Sequence, residues 1–238
     1  MSALKEEKPE APAHHDGHRD RLRQRFLHSG VEAVADYELL ELLLFSAIPR
    51  RDVKPLAKKL LSSFGSLSGV MGASASELQK IKGLSENSAA LLKVVHALHM
   101  KSLRADIDKK PLLSSWQKLI DYCTVAMAHE KREHFRVLFL NRKNQLIADE
   151  VQQTGTVDHA PVYPREIVKR ALELGATAII LVHNHPSGDP TPSDSDIAMT
   201  EEVIRAAAAL DLLVHDHIVI SRNGHVSLKS MGLLEFTG

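Results

Sequence analysis

Residues 183 to 196, reading HNHPSGDPTPSDSD, hold a dense set of side chains able to do chemistry. His183 and His185 stand two apart, so in an extended chain both imidazoles leave one face while Asn184 leaves the other. Pro186, Gly188, Pro190 and Pro192 impose an irregular loop that can return Asp196 over the preceding segment. Two neutral imidazoles with one carboxylate form a set suited to zinc. Three protein ligands leave the fourth tetrahedral position to water, which is the arrangement of a catalytic rather than a structural site. A purely structural reading covers some of the same residues. Ser193 as a helix N-cap with Asp196 at N3 is an acidic capping box, and the histidines are then satisfied polar groups at a strand end. The two readings are compatible, because a carboxylate in a first helical turn can cap and still bind metal.

His183, His185, Ser193 and Asp196 fit the pattern H-x-H-x7-S-x-x-D at every position, and this resembles the metal signature of JAB/MPN (JAMM) domains. The surrounding wording, with PRE at Pro164–Glu166 and DHIVI at Asp216–Ile220, is similar to the bacterial RadC-like branch, and the resemblance runs from about His18 to the C-terminus. Characterised members of the JAMM group include zinc isopeptidases that cleave ubiquitin-like conjugates. The resemblance therefore implies a zinc ion on His183, His185 and Asp196, a protein or peptide substrate, and a glutamate near the first strand acting as base. Glu133, two residues before Phe135, is the best match. Read from its surroundings alone, Glu133 is equally a solvated residue at a helix end. Glu150 in the second strand and Glu166 in the turn after Pro164 are the competitors; at Glu166 a carboxylate favours the helix N-terminus without any catalytic work. Ser193 is expected to donate a hydrogen bond to the developing oxyanion.

The elements that must position these residues follow from apolar patterning. Ala176–Val182 is uncharged, β-branched and short, which predicts a buried strand ending at the histidines. A helix pattern opens at Ser193 and runs through Ile197, Val203, Ala206, Ala207 and Leu210. Upstream, Ser114 or Ser115 caps a helix over Trp116–Ala128, and Phe135–Leu140 with Gln145–Val151 reads as an antiparallel pair. Pro164 at N1 and Gly175 at the end bracket another helix. Leu212–Ser221 and His225–Leu228 predict a final hairpin. Within it, alternation sends Asp216 and His217 to opposite faces, so both cannot reach one site without a bulge, and neither is placed among the ligands. One of the pair is expected at the surface and the other as a satisfied core histidine. The order αββαβαββ gives an α/β domain with a mixed sheet.

Residues 1–17 lack apolar periodicity and are expected to be a disordered tail. From His18 to about His99 the pattern is helical throughout, with Asp36, Asp52 and Ser74 as caps and Gly65 as a stop. The stretch LQKIKGLSENSAALLKVV predicts two helices joined as a helix-hairpin-helix unit. Gly83 permits the turn, the amides near Ser85 are placed to receive a phosphate, and Lys80 and Lys82 add attraction that ignores sequence. Gly83 is also simply what a helix C-cap requires. The unit resembles the N-terminal region of RadC-like proteins, although Gly83–Glu86 reads GLSE where DNA-binding hairpins often read GLG. The charged segment 100–113 predicts the boundary between an all-α N-terminal helical module (18–110) and the C-terminal JAB/MPN-like domain (114–238).

Charge separates the two halves. Arg50–Lys110 carries 12 Lys and Arg against 5 Asp and Glu, while Gln145–Asp216 carries 4 against 12. A basic helical module is compatible with DNA, and an acidic one with holding a divalent cation. The single cysteine, Cys123, excludes an internal disulfide and any cysteine-based zinc site. No apolar run approaches a membrane span and no signal peptide is legible, so a cytoplasmic location without membrane attachment is expected. Three function classes remain open: a zinc-dependent peptidase or isopeptidase, a DNA-associated repair-type factor with the metal domain as accessory, and a metal-dependent nuclease. The first is favoured, because a single-metal His-His-Asp site suits attack of water on a carbonyl, whereas nuclease sites gather carboxylates around magnesium.

Overall fold

The computed structural model describes residues 14–108, 111–154 and 163–235, in two compact units that divide at Val94/Val95. In the first unit, α1 (His14–Ser29), α2 (Asp36–Ala47), α3 (Lys54–Phe64), α4 (Leu67–Gly72) and α5 (Ala75–Gln79) lead into α6 (Glu86–Asp108). Leu22, Leu40, Leu44, Leu60, Val70, Leu78 and Leu92 form its core. The predicted tail needs correcting, because residues 14–17 already belong to α1; residues 1–13 lie outside the described residues. The caps follow the sequence in kind. The Asp52 carboxylate accepts from the Lys54 amide, Ser74 and Glu77 form a capping box, and Gly65 ends α3 at φ 82°. Asp36 instead lies inside the first turn of α2, where the Glu38 carboxylate caps by accepting from the Ala35 amide.

Segment 100–108, part of the stretch where the boundary was expected, continues α6. Ile107 is fully buried and Arg104 reaches Asp149, so its charges are the outer stripe of an amphipathic helix.

The second unit is an α/β domain. Helix α7 (Trp116–Met127) precedes β1 (His134–Leu140) and β2 (Leu146–Thr154); α8 (Pro164–Leu174), β3 (Ala178–Asn184), α9 (Asp194–Ala208), β4 (Leu213–Ser221) and β5 (Gly224–Ser227) follow. The sheet order is β2-β1-β3-β4-β5, with β3 and β4 parallel and the other neighbours antiparallel. Alternation distributes each strand between two cores. Leu138, Leu140, Ile180 and Val182 pack with α7 and the end of α6, whereas Phe135, Val137, Ile179 and Leu181 pack with α8 and α9. Every residue of β3 is buried, as expected for a central strand covered on both faces.

A register shift in β4 changes which side chains face the helices. Ile179 pairs with Val214 and Ile180 with Asp216, so His215 is an extra residue in the ladder. Val214 therefore packs toward α8 and α9 while Ile218 and Ile220 pack toward α7. The bulge moves His217 onto the face of β3 that carries Ile179, Leu181 and His183. Asp216 and His217 are both buried, which corrects the expectation that one of them lies at the surface. Among the described residues no helix is long and apolar enough to cross a membrane.

Candidate metal centre

The centre forms where β3 leaves the sheet. His183 is its penultimate residue and stays buried, while the His185 amide still donates to the Ile220 carbonyl at 2.8 Å and so prolongs the ladder by one bond. With both residues extended, the rings emerge on one face with centroids 4.7 Å apart. The loop that follows is held from the turn between β4 and β5. Arg222 donates to the Ser187 carbonyl at 2.7 Å, and Asn223 donates to the Gly188 carbonyl at 2.9 Å. Gly188 has φ 95°, and a Cβ there would lie 2.6 Å from the Arg222 Nε, so conformation and crowding both call for glycine.

Helix α9 then returns Asp196. Ser193 is its N-cap, its hydroxyl accepting from the Asp196 amide at 3.2 Å, while the Asp196 Oδ2 accepts from the Ser193 amide at 2.7 Å and hydroxyl at 2.6 Å. The acidic capping box and the convergence of Asp196 on the histidines thus occur together. The Ser193 hydroxyl proton is directed at Asp196 in this structure, so service to an oxyanion requires it to turn away.

Glu133 comes from the segment before β1. Phe135 pairs with His183 across the sheet, and Asn184, which points away from the imidazoles, fastens the intervening chain. Its side chain accepts from the His134 amide at 2.9 Å and donates to the Arg132 carbonyl at 3.1 Å. Asn184 is nearly fully buried, and its bonds reach out to the more exposed backbone of Arg132 and His134. The Glu133 carboxylate lies 3.9 Å from the His185 Nε2.

Four groups thereby surround one point. The Nε2 atoms of His183 and His185 are 2.9 Å apart; Asp196 Oδ1 is 3.3 Å from the first and Oδ2 is 3.4 Å from the second. Ligand atoms of Glu133, His183 and His185 lie within 4.8 Å of one another, and this trio shares its histidines with the tighter set completed by Asp196. Bonds of about 2.0–2.1 Å to a tetrahedral zinc imply donor separations of about 3.3 Å, which the His-His-Asp set approaches and Glu133 exceeds. Each imidazole also spends its Nδ1 elsewhere, His183 on the His217 Nε2 at 2.8 Å and His185 on the Asp189 carbonyl at 2.9 Å. Two Nε2 atoms are left facing each other beside a carboxylate, and three converging electron-pair donors fit a cation.

The electrostatics agree with that fit. The adjoining Asp196 carboxylate raises the His185 pKa against the lowering effect of burial, so the pair favours positive charge between them, whether proton or metal. Burial alone would raise the Asp196 pKa, but the His183 and His185 rings beside it hold it well below the usual carboxylate range. His217 behaves oppositely. Burial, reinforced by neighbouring His183, lowers its pKa well below the ordinary value and keeps the ring neutral.

Other residues singled out from sequence stand apart from this centre. Glu150 is engaged by Arg170 at 2.7–3.1 Å, which lowers its pKa, and Glu166 lies in the first turn of α8 beside Arg165. In the helical unit, Gly83 turns at φ 101° with its carbonyl accepting from Arg51, Lys80 and Lys82 are exposed, and Ser85 caps α6 by accepting from the Ser88 amide. Sequence reasoning missed Asn184, Thr200 and His217. A legible signal for the last was a polar pair, Asp216–His217, inside an otherwise apolar strand.

The family model of the RadC-like JAB domain matches residues 113–233, and that of the UPF0758 N-terminal domain matches residues 16–90.

Proposed function

This chain belongs to the RadC-like JAB-domain family, and from that premise we propose that His183, His185 and Asp196 hold one zinc ion at a centre that hydrolyses amide bonds in a protein or peptide substrate. The family gives the chain a metal-dependent hydrolase-like fold; zinc and the substrate class are the proposal. The observation that carries it is the 2.9 Å approach of two imidazole Nε2 atoms, with both oxygens of Asp196 at 3.3 and 3.4 Å. Zinc bound there would supply Lewis-acid activation of water near neutral pH. Glu133, close to the ligands but outside their tightest set, is placed to take the proton from the attacking water and return it to the leaving amine. Ser193 holds Asp196 in its rotamer and, on turning, donates to the oxyanion. A nuclease is less well served, because one carboxylate among imidazoles suits zinc better than magnesium.

Metal analysis of the purified chain beside its Asp196→Ala variant tests the proposal. About one zinc per wild-type chain and none in the variant is expected. A wild-type protein that holds no zinc and takes none up at micromolar concentration would sink it.

A second activity, DNA contact by the helical unit, is supported by the exposed Lys80 and Lys82 beside the Gly83 turn. It is independent of the metal centre.

A further inference from the structure

Behind His183 lie two polar side chains that are both 0% exposed, Thr200 on α9 and His217 on β4. Thr200 Oγ1 is 2.5 Å from the Asp196 backbone carbonyl oxygen and 2.6 Å from the His217 Nδ1. A carbonyl can only accept, so the Thr200 proton belongs on the Asp196 side, and the hydroxyl oxygen must then accept from the His217 Nδ1–H. His217 is fully buried, and its two ring nitrogens meet a hydroxyl and an imidazole with no carboxylate to hold an imidazolium, so the ring carries one proton; its Nε2 is bare and accepts from the His183 Nδ1–H at 2.8 Å. His183 in turn presents an unprotonated Nε2 to His185 and Asp196. The opposite polarity would put a proton on that Nε2 and block it as a ligand.

We propose that Thr200 and His217 are positioning residues for the metal centre, holding His183 in its Nδ1–H tautomer and tying that ring to the main chain of Asp196. The inference rests on the zinc reading of His183, His185 and Asp196. Its geometric basis is a closed circuit: Asp196 carbonyl, Thr200, His217 and His183, returning through the 3.3 Å approach of the His183 Nε2 to Asp196 Oδ1. Two ligands from different elements are thus fixed to each other as well as to the strand and helix that carry them. The His215 bulge is a condition of the circuit, because a regular β4 would turn His217 away from α9.

The test uses the full chain. Long-range proton–nitrogen NMR spectra of zinc-free wild-type protein should show both His183 and His217 protonated at Nδ1 and bare at Nε2. A proton on the His217 Nε2 overturns the proposal without any variant being made. Zinc affinity is then measured by chelator competition for Thr200→Val and Thr200→Ser. Valine keeps the shape but removes the acceptor, and should weaken zinc about 10- to 100-fold; serine should stay within about threefold of wild type. Wild-type affinity in Thr200→Val overturns the proposal, as does equal weakening in both variants, which would indicate packing alone. If wild-type protein takes up no zinc, the zinc reading fails, while the tautomers in the metal-free chain still decide the relay.

Discussion

Glu133 and Asp196 are carboxylates beside the same pair of imidazoles, and their surroundings separate their roles. Asp196 is fixed by Ser193 and lies 3.3 and 3.4 Å from the two histidines, whereas Glu133 stands farther off, 3.9 Å from His185 and within 4.8 Å of His183. A base that is not a ligand can be removed without emptying the site. Glu133→Gln is therefore expected to retain about one zinc per chain while kcat falls by about 10²-fold or more. Loss of zinc would make Glu133 a ligand, and undiminished hydrolysis would place the base elsewhere. Asn184 acts one step behind, because its amide fastens the 132–134 segment that delivers Glu133. Truncation in Asn184→Ala removes the bonds to the His134 amide and the Arg132 carbonyl, which are part-buried, so unfolding free energy should drop by about 1 kcal/mol. Activity should fall with zinc content unchanged, and a variant as active as wild type would remove Asn184 from the positioning of Glu133. At this scale, spacing made His183, His185 and Asp196 legible because a two-residue step and a fixed loop length are local. Asn184 and Thr200 were not legible, since each matters through a partner distant in sequence; the Asp216–His217 pair was visible, but His217 reaches the centre only by virtue of the bulge.

Elements announced by local chemistry matched their sequence signals. Pro164 and Gly175 bracket α8, Ser193 starts α9, and the uncharged β-branched run is the buried β3. The exceptions are places where tertiary burial overrode local composition. The end of α6 has a linker's charge but inserts Ile107 into the sheet core, and β4 breaks its own alternation at His215. The α5–α6 hairpin carries the proposed DNA contact. Its cations are lysines beside backbone amides, and Ser85 already accepts from the Ser88 amide, so any DNA contact would be to a few phosphates and indifferent to sequence. Affinity of the full chain for labelled duplex should fall by roughly one to two decades between low and physiological salt, the slope expected for about two or three phosphates. Replacing Lys80 and Lys82 together with alanine should flatten that slope. Binding that is unaffected by the double substitution, or absent at low salt, would leave the hairpin as a purely structural turn.

Across the whole chain there are two cores, with α6 contributing Leu92 to the helical core and Ile107 to the sheet core. Each includes buried carboxylates: in the helical unit Glu41 meets His18 at 3.0 Å and Glu38 meets Arg25 at 2.5 Å, and in the sheet unit an ionic cluster joins α6, α7 and the β1–β2 pair. Asp149, whose side chain is nearly fully buried, accepts from Arg136 at 2.5 Å, from Arg104 at 2.8 Å and from the Tyr122 hydroxyl. Removing that carboxylate strands a buried guanidinium, and Asp149→Ala should cost the sheet unit about 3–5 kcal/mol. Cys123, fully buried in the same core, reports on that loss. Burial pushes its thiol up to about 12, so at pH 8 only about one part in 10⁴ is thiolate even before access is considered. Ionisation rises tenfold per pH unit below that value, but in the folded protein the sulfur remains out of reach, so raising the pH from 7 to 9 should not make it reactive. A thiol-specific reagent should leave native protein unlabelled and modify Cys123 only as urea opens the sheet unit. In Asp149→Ala the labelling midpoint should move to lower urea. Native-state labelling at the rate of a free cysteine would contradict the burial of Cys123, and a midpoint unchanged by Asp149→Ala would show that the ionic cluster does not hold this core together.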